Sequence, residues 1–191
     1  TLVFSEVVAS FSSADDINLD NATGSLSTMS PNDNKTTWTG TFTPTTDMEV
    51  DNNTITLDAS WTDQVGNPGT SVTTSNFEVE TLRPTVSSFT LSDTALKAGD
   101  NATVTLDFSE AVASFSSADD ITVDNGTLAT MTSSDNKTWE GTFTPLANTE
   151  EDNNTLSLGT SYTDLAGNAG PAATTANYAI DTLLPTISSV T

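Results

Sequence analysis

The sequence contains no cysteine and no histidine among its 191 residues. Without thiols the chain can form no disulfide, and it offers no thiolate to a zinc ion or a substrate. Without imidazole it lacks the base that serves serine and cysteine triads. The missing residue types therefore exclude the commonest nucleophilic and zinc-dependent enzyme classes.

Positive charge is also scarce. Four Lys and Arg residues stand against 26 Asp and Glu residues, so the formal net charge is −22. Such a surface repels phosphate groups, which excludes nucleic acid and anionic lipid as partners. No apolar run approaches the roughly 18 residues of a membrane span, so we predict no direct membrane insertion. High charge can indicate disorder, but here the apolar residues fall in alternating runs, which predicts folded strands.

Internal repetition organises the chain. The segment VASFSSADDI occurs at 8–17 and again, unchanged, at 112–121. The segment TWTGTFTP at 37–44 returns as TWEGTFTP at 138–145. Similarity at a constant spacing of about 100 residues indicates a tandem array of one domain type.

The repeat boundaries are predicted at Pro84 and Pro185, because a proline after extended residues cannot continue a strand ladder. The predicted domains are 1–84, 85–184 and 185–191, the last being the opening of a further repeat. Thr1 aligns with Thr105, so the first repeat has no counterpart of the residues that open the second.

Within the complete repeat the hydrophobic period is two. Val104, Leu106 and Phe108, for example, alternate with polar residues. This pattern predicts seven strands and no helix, with the strands near 86–91, 102–109, 120–125, 127–133, 137–145, 154–162 and 174–181. The predicted fold class is all-β, with tandem immunoglobulin-like β-sandwich domains of about seven antiparallel strands each.

In such a sandwich the loops after the second, fourth and sixth strands share the end at which the chain enters. Glu80, leaving the first repeat, should then point toward Glu110, Asp119, Asp120 and Asp164 of the second. Neighbouring carboxylates without cations must separate, become protonated or hold a metal. An all-oxygen ligand set suits Ca²⁺, which we predict at the interdomain junctions. The alternative is that these acids are solvated surface.

Four segments carry a family resemblance: LSDTALKAGDNATVTLDFSEAV, TWEGTFTP, YTDLAGNAG and AIDTLLPT. Together they resemble the bacterial immunoglobulin-like (Big-type) extender repeats of giant RTX and biofilm-associated surface adhesins. The resemblance implies an extracellular protein at the surface of a Gram-negative bacterium. It implies a spacer that projects a distal ligand-binding region, with several Ca²⁺ ions, mainly at the junctions between neighbouring repeats, making the array rigid.

The resemblance also implies metal ligands at matching positions of the two repeats. They are Glu6, Asp15, Asp16, Asp63, Asn67, Glu80, Glu110, Asp119, Asp120, Asp164, Asn168 and Asp181. Glu80 stands where the family usually has aspartate, so the first linker site is expected to differ in geometry.

Two other functions would leave different marks in the sequence. An adhesive module that itself binds a glycan or cell-surface ligand would need a pocket with exposed aromatic side chains. A glycosidase would need a catalytic carboxylate pair. Alternation assigns Trp139 and Phe143 to the core, and a catalytic pair should not recur in both repeats. We therefore predict a non-catalytic spacer.

The C-terminal residues 186–191, TISSVT, resemble the beginning of the strand that the first repeat lacks. A sheet edge without a partner can accept a strand from another chain. We therefore predict that the tail of one molecule docks head to tail on the first domain of another.

Overall fold

The computed structural model describes residues 1–32 and 34–191, which form two compact units, Thr1–Leu82 and Arg83–Thr191. The regular secondary structure of both units is almost entirely β-strand, and the predicted tandem β-sandwich class is confirmed. No helix in the described part of the chain has the length and apolarity that crossing a membrane requires.

The first unit is made of short strands that pair antiparallel. Its strands are β1 (Leu2–Val3), β2 (Ile17–Asn18), β3 (Gly24–Leu26), β4 (Ser30–Pro31), β5 (Thr37–Thr39), β6 (Phe42–Pro44), β7 (Glu49–Asn53), β8 (Thr56–Leu57), β9 (Val72–Thr73) and β10 (Phe77–Glu80). They are ordered β1-β5-β4, β3-β6, β2-β8-β9 and β10-β7.

The second unit has longer strands. They are β11 (Val86–Leu91), β12 (Ala95–Lys97), β13 (Ala102–Phe108), β14 (Ile121–Val123), β15 (Gly126–Leu128), β16 (Thr138–Pro145), β17 (Glu150–Asn154), β18 (Leu156–Leu158), β19 (Ala173–Thr174) and β20 (Tyr178–Asp181). A single helical turn, α1 (Ser117–Asp120), lies between β13 and β14.

One face of the second unit is the antiparallel sheet β11-β13-β16-β15; β12-β20-β17 and β14-β18-β19 complete the sandwich. The long strand β13 shows why the sequence folds this way. Ala102, Val104, Leu106 and Phe108 are buried, while the residues between them are exposed or half-buried. Alternation along the strand thus turns one face toward the core.

The two units contain matching aromatic clusters. In the second unit the ring centroids of Phe108 and Tyr162 lie 4.9 Å apart. In the first unit Phe4 lies 4.7 Å from Trp61 and 5.5 Å from Phe11, both in edge-to-face contact. Because these rings stand at equivalent repeat positions, the same aromatic contacts stabilise the cores of both units.

Three local predictions were wrong. The segment Ser117–Asp120 is helical, because the amides of Asp119 and Asp120 both donate to the carbonyl of Ser116. The strands β12 and β17 occupy predicted turns, since β20 lies between them and supplies backbone partners to both. The β12–β20 pair is also parallel, whereas the prediction was antiparallel throughout.

Candidate functional site

The unchanged segment VASFSSADDI ends in a buried aspartate that closes its own loop. In the second unit, Asp120 is 5% exposed. Its Oδ2 accepts a 2.7 Å hydrogen bond from the amide of Ser116, and its Oδ1 accepts one from the hydroxyl of Ser161. The backbone carbonyl of Asp120 accepts from the amide of Gly159 at 2.8 Å. Such bonds offset the cost of removing a carboxylate from water.

The first unit repeats this arrangement. Asp16 is 3% exposed, and its Oδ2 accepts from the amide of Ser12 at 2.7 Å. Its Oδ1 accepts from the hydroxyl of Ser60, and its carbonyl accepts from the amide of Asp58 at 2.8 Å. Both predicted metal ligands therefore have hydrogen-bond partners inside their own domain.

A second buried carboxylate organises the loop that carries the TDxxGN motif. Asp164 is 1% exposed, and its Oδ1 accepts from the amides of Gly167 and Asn168 at 2.7 and 2.8 Å. Its Oδ2 accepts from the side-chain amide of Asn168 at 2.8 Å. Gly167 has φ of 97°, in the left-handed region that glycine adopts readily. The motif therefore encodes a turn folded around its aspartate.

The matching turn of the first unit is also folded around its aspartate, with one amide donor at a different position of the turn. Asp63 Oδ1 accepts from the amides of Val65 and Asn67 at 2.9 and 2.8 Å, and Oδ2 accepts from the Asn67 side chain at 2.6 Å. Hydrogen bonds from the Asn67 side chain and backbone lower the pKa of Asp63 below its ordinary value of 3.8. The carboxylate form is thus favoured in the folded domain.

Loops distant in sequence meet at this end of each unit, as predicted. The amide of Ala113 donates to the carbonyl of Thr163 at 2.9 Å, and the amide of Val112 donates to the carbonyl of Asn136 at 2.9 Å. Val112 also forms an isolated bridge with Asp164, and in the first unit Val8 forms one with Asp63. The repeated loop is therefore joined directly to the TDxxGN turn.

The glutamate of the FSE motif lies at the same end of the domain. In the first unit Glu6 and Asp63 line one shallow depression of about 240 Å³, together with Val7, Gln64 and Val65. Glu6 is exposed, and the corresponding Glu110 of the second unit is half-buried. The structure thus brings together two of the predicted ligands of the first unit.

The remaining predicted ligands lie nearer the surface. Asp15 and Asp119 are exposed, and Asp119 Oδ2 accepts from the hydroxyl of Ser116 at 2.8 Å. The linker acid Glu80 accepts from the amide of Leu82 at 2.7 Å. Its counterpart Asp181 accepts from the amide of Leu183 at 3.2 Å.

The linker acids also face other acids across the sheet. Glu80 of β10 lies opposite Glu49 of β7, and Asp181 of β20 lies opposite Glu150 of β17. Like charges at directly opposed positions destabilise a sheet. The linker end of each domain, opposite the end with the TDxxGN turn, therefore has a concentration of negative charge that a cation would relieve.

The predicted ligands suit a hard cation, because each of them has a side-chain oxygen atom that can coordinate a metal ion. Within each unit, however, the described residues form no group of three or more acidic side chains that could hold a metal ion. Ca²⁺ takes six to eight oxygen ligands. A complete site would then need further oxygen atoms from backbone, water or another module.

The family described as bacterial Ig-like domain matches residues 1–79 and again residues 80–180. The chain belongs to this family. It therefore contains two consecutive Ig-like domains, a class of module that is typically non-enzymatic. No curated protein matches the chain.

Sequence reasoning missed the residues that stabilise the linker end of each Ig-like domain, opposite the TDxxGN turn. Asn154 is 3% exposed; its side-chain amide donates to the carbonyls of Glu151 and Tyr178 at 2.8 and 3.1 Å. Thr182 donates to the carbonyl of Leu146 at 2.6 Å and accepts from the amide of Thr149 at 2.9 Å. The available signal was recurrence, because DNNT and TLxP occur in both repeats.

Proposed function

We propose that the chain is a pair of non-catalytic spacer modules from a giant bacterial surface adhesin, with Ca²⁺ bound at the junctions between modules. The observation that supports this proposal most directly is that the domain and its acidic loop occur twice. Two Ig-like domains have the same acidic loop, with Asp16 and Asp120 bonded in the same way. A spacer requires copies, because its length grows by repetition, whereas a specific binding site needs only one.

Three features support calcium as the ligand. The predicted ligands offer oxygen alone, and the chain has 26 acidic residues against four basic ones. Glu6 and Asp63 line one depression, so two carboxylates are available at one end of the first domain. Asp63 is held as a carboxylate by its turn, which preserves a charged ligand. Ca²⁺ would supply a divalent positive charge between carboxylates, and linker acids from a neighbouring module would complete the coordination.

The competing adhesive function is not favoured by the aromatic residues. Phe108, Phe143, Tyr162 and Tyr178 are each at most 1% exposed, so they cannot serve as a stacking platform for sugars. This burial supports the proposal that the repeats extend a protein whose ligand contacts lie elsewhere.

The test is thermal unfolding in EDTA, in millimolar CaCl₂ and in millimolar MgCl₂. Binding to the native state stabilises it by mass action, so Ca²⁺ should raise the melting temperature and Mg²⁺ should not. Glu6→Gln should reduce the calcium-dependent rise. Glu78→Gln, which removes an exposed glutamate outside the predicted ligands, should leave it unchanged.

Small-angle scattering distinguishes calcium binding as such from rigidification of the junctions between modules. Calcium bound at junctions should increase the maximum dimension of the particle as well as the melting temperature. A rise in melting temperature without that increase would assign the ions to sites within the domains and refute rigidification. Equal melting in all three buffers would refute calcium binding and would mean that the buried acids serve only their own domain while the exposed ones are solvated.

A further inference from the structure

One asparagine of the second domain stands directly before a glycine. Asn125 is followed by Gly126, and it is the only asparagine of the sequence whose next residue is glycine. Glycine has no side chain to shield its amide nitrogen, so this nitrogen can approach the side chain of the residue before it. The pair therefore has the chemistry for attack of the backbone on a neighbouring side-chain amide.

Packing of the core requires this glycine. A Cβ atom at Gly126 would overlap the ring of Phe143 and lie 2.8 Å from the carbonyl oxygen of Thr144. Phe143 is fully buried, and close-packed interiors leave such a ring little room to move. Gly24 of the first domain packs against Phe42 in the same way. The glycine is thus retained for the core and not for the turn alone.

The backbone amide of Gly126 points away from the neighbouring strand. Gly126 of β15 lies opposite Pro145 of β16, which has no N–H to donate. The amide of Leu146 instead donates to the carbonyl of Asn125 at 2.9 Å. Gly126 and Pro145 therefore form a non-hydrogen-bonded pair of the antiparallel ladder. Because β15 is the last strand of its sheet among the described strands, the ladder does not engage the Gly126 nitrogen.

The side chain of Asn125 joins the turn to a buried residue. Its Nδ2 donates to Oδ1 of Asn154 at 2.9 Å. The side-chain amide of Asn154 donates to the carbonyls of Glu151 and Tyr178, which fixes the direction of its oxygen. This oxygen therefore needs a donor from position 125. A carboxylate at that position would set two acceptors against each other.

The first domain supplies the same acceptor with a different donor. Its turn is two residues longer, with Ala22 and Thr23 inserted after Asn21. The backbone amide of Thr23 donates to Oδ1 of Asn53, which is the counterpart of Asn154, at 2.7 Å. The first domain thus makes this contact without a side-chain amide, and Asn21 does not precede a glycine.

We propose that Asn125 and Gly126 form a self-modifying site, at which the amide of Asn125 is converted to an acid. The nitrogen of Gly126 bonds to Cγ of Asn125, the Cγ–Nδ2 bond breaks, and ammonia leaves with the proton of the Gly126 amide. Water then opens the cyclic imide. Opening at the Cγ carbonyl gives aspartate, and opening at the backbone carbonyl gives isoaspartate, so water is the only co-reactant.

The modification weakens the linker end of the second domain. Either product removes the amide that donates to Asn154 and adds a negative charge beside Asp124. Isoaspartate also lengthens the main chain at a residue whose φ of 54° lies in the left-handed region. The second domain therefore loses stability as the protein ages, while the first domain keeps its backbone donor.

Peptide mapping by mass spectrometry after long incubation in warm, mildly alkaline buffer tests the modification. Asn136 is the internal control, because it also follows an aspartate and has a φ of 58°, but it precedes Lys137. Aspartate and isoaspartate should both form at Asn125 and not at Asn136. Equal conversion at the two residues, or none at Asn125, would overturn the proposal. Aspartate without isoaspartate would show direct hydrolysis by water and refute attack by Gly126.

A longer turn tests the nucleophile. Inserting Ala-Thr between Asn125 and Gly126 copies the turn of the first domain and should abolish the conversion. Conversion at the wild-type rate would show that the Gly126 nitrogen is not the attacking group. The comparison holds even if the insertion loosens the domain, because an unfolded chain exposes the same asparagine.

Asn125→Asp tests the consequence, since it has the structure of one product. It should raise the ratio of unfolded to folded second domain about tenfold, because a carboxylate then faces Oδ1 of Asn154. Asn136→Asp is the matched control, with the same change of charge at an exposed residue, and should change this ratio much less. Urea unfolding followed by NMR signals of the second domain measures both variants. Equal effects would refute the role of the bond to Asn154.

Discussion

Asp120 and Ser161 are joined by a hydrogen bond between side chains that lie 41 residues apart in the sequence. The bond ties the repeated acidic loop to the strand end that precedes the TDxxGN turn. Asp16 and Ser60 make the same connection in the first domain. The acidic loop, whose sequence suggests only a set of metal ligands, therefore also holds two distant parts of its domain together. We call this bond between aspartate and serine the clasp.

Replacing Ser161 by alanine tests this clasp. The change leaves Asp120 Oδ1 without its hydroxyl donor in a buried position, and we expect a loss of about 1–3 kcal/mol in the free energy of unfolding. Urea unfolding followed by NMR signals of the second domain measures it. Thr160→Ala, at the exposed neighbouring residue, should cost much less, and equal losses in the two variants would contradict the role of the bond.

The sequence predicted this region unevenly. Alternation identified β13 and β16, because their apolar side chains face one core. It could not identify α1, since four residues are too few to show a helical period. The acidic run at β17 was predicted as a turn from its Asn and Asp residues, but pairing with β20 decides its conformation.

The sequence allowed the acidic residues of the candidate site to be predicted, but not the hydrogen bonds that they make. The motifs identified Asp63 and Asp164, and the strand order placed their loops beside the repeated segment. The serine partners were missed, because serine has no pattern that marks it as a donor to a distant carboxylate. Hydrogen bonds between residues 41 or 44 apart depend on the tertiary fold.

The turns of the two domains should show depressed carboxyl pKa values. Hydrogen bonds from the amides of Thr138 and Lys137, then from the Ser133 side chain, lower the pKa of Asp135 to about 2. The pKa of Asp63 is lowered chiefly by Asn67. A depressed folded-state pKa contributes stability above the unfolded-state pKa near 3.8, and this stability is lost as pH falls through the folded-state value.

Carboxyl NMR titration from pH 5 to pH 1.5 measures both groups. Asn67→Ala should raise the pKa of Asp63 toward 3.8 and leave that of Asp135 at about 2, so Asp135 is the internal control. The first domain of the variant should also lose less stability on acidification below pH 4. An unchanged Asp63 titration would show that Asn67 does not stabilise its carboxylate.

The opposed acids at the linker end predict a stabilising charge reversal. Glu150 lies opposite Asp181, so Glu150→Lys replaces a repulsive pair with an attractive one. We expect a gain of about 0.2–1 kcal/mol, which should shrink as salt screens the charges. Chemical unfolding at low and high salt measures the effect.

Glu140→Lys is the control for net charge, because it makes the same change opposite the uncharged Thr105. If the two variants gain equally, the benefit comes from the lower overall charge. The pairing of Glu150 with Asp181 would then not be the cause.

Two buried tyrosines provide a matched pair for the core of the second domain. The hydroxyl of Tyr162 donates to the carbonyl of Pro171 at 2.7 Å, whereas the buried hydroxyl of Tyr178 has no hydrogen-bond partner among the described residues. Burial, followed by the charge of Asp120 or Asp124, raises the pKa of each tyrosine to about 12. The two side chains are therefore buried to the same extent but differ in one hydrogen bond.

Replacing each tyrosine by phenylalanine should thus have opposite effects. Tyr162→Phe loses a hydrogen bond and should lower the free energy of unfolding by about 0.5–1.5 kcal/mol. Tyr178→Phe removes an unsatisfied buried hydroxyl and should be neutral or stabilising, because a buried polar group without a partner carries a desolvation cost. Urea unfolding of the two variants under one condition measures the difference. If Tyr178→Phe is as destabilising as Tyr162→Phe, the hydroxyl of Tyr178 is satisfied in solution by a bound water molecule.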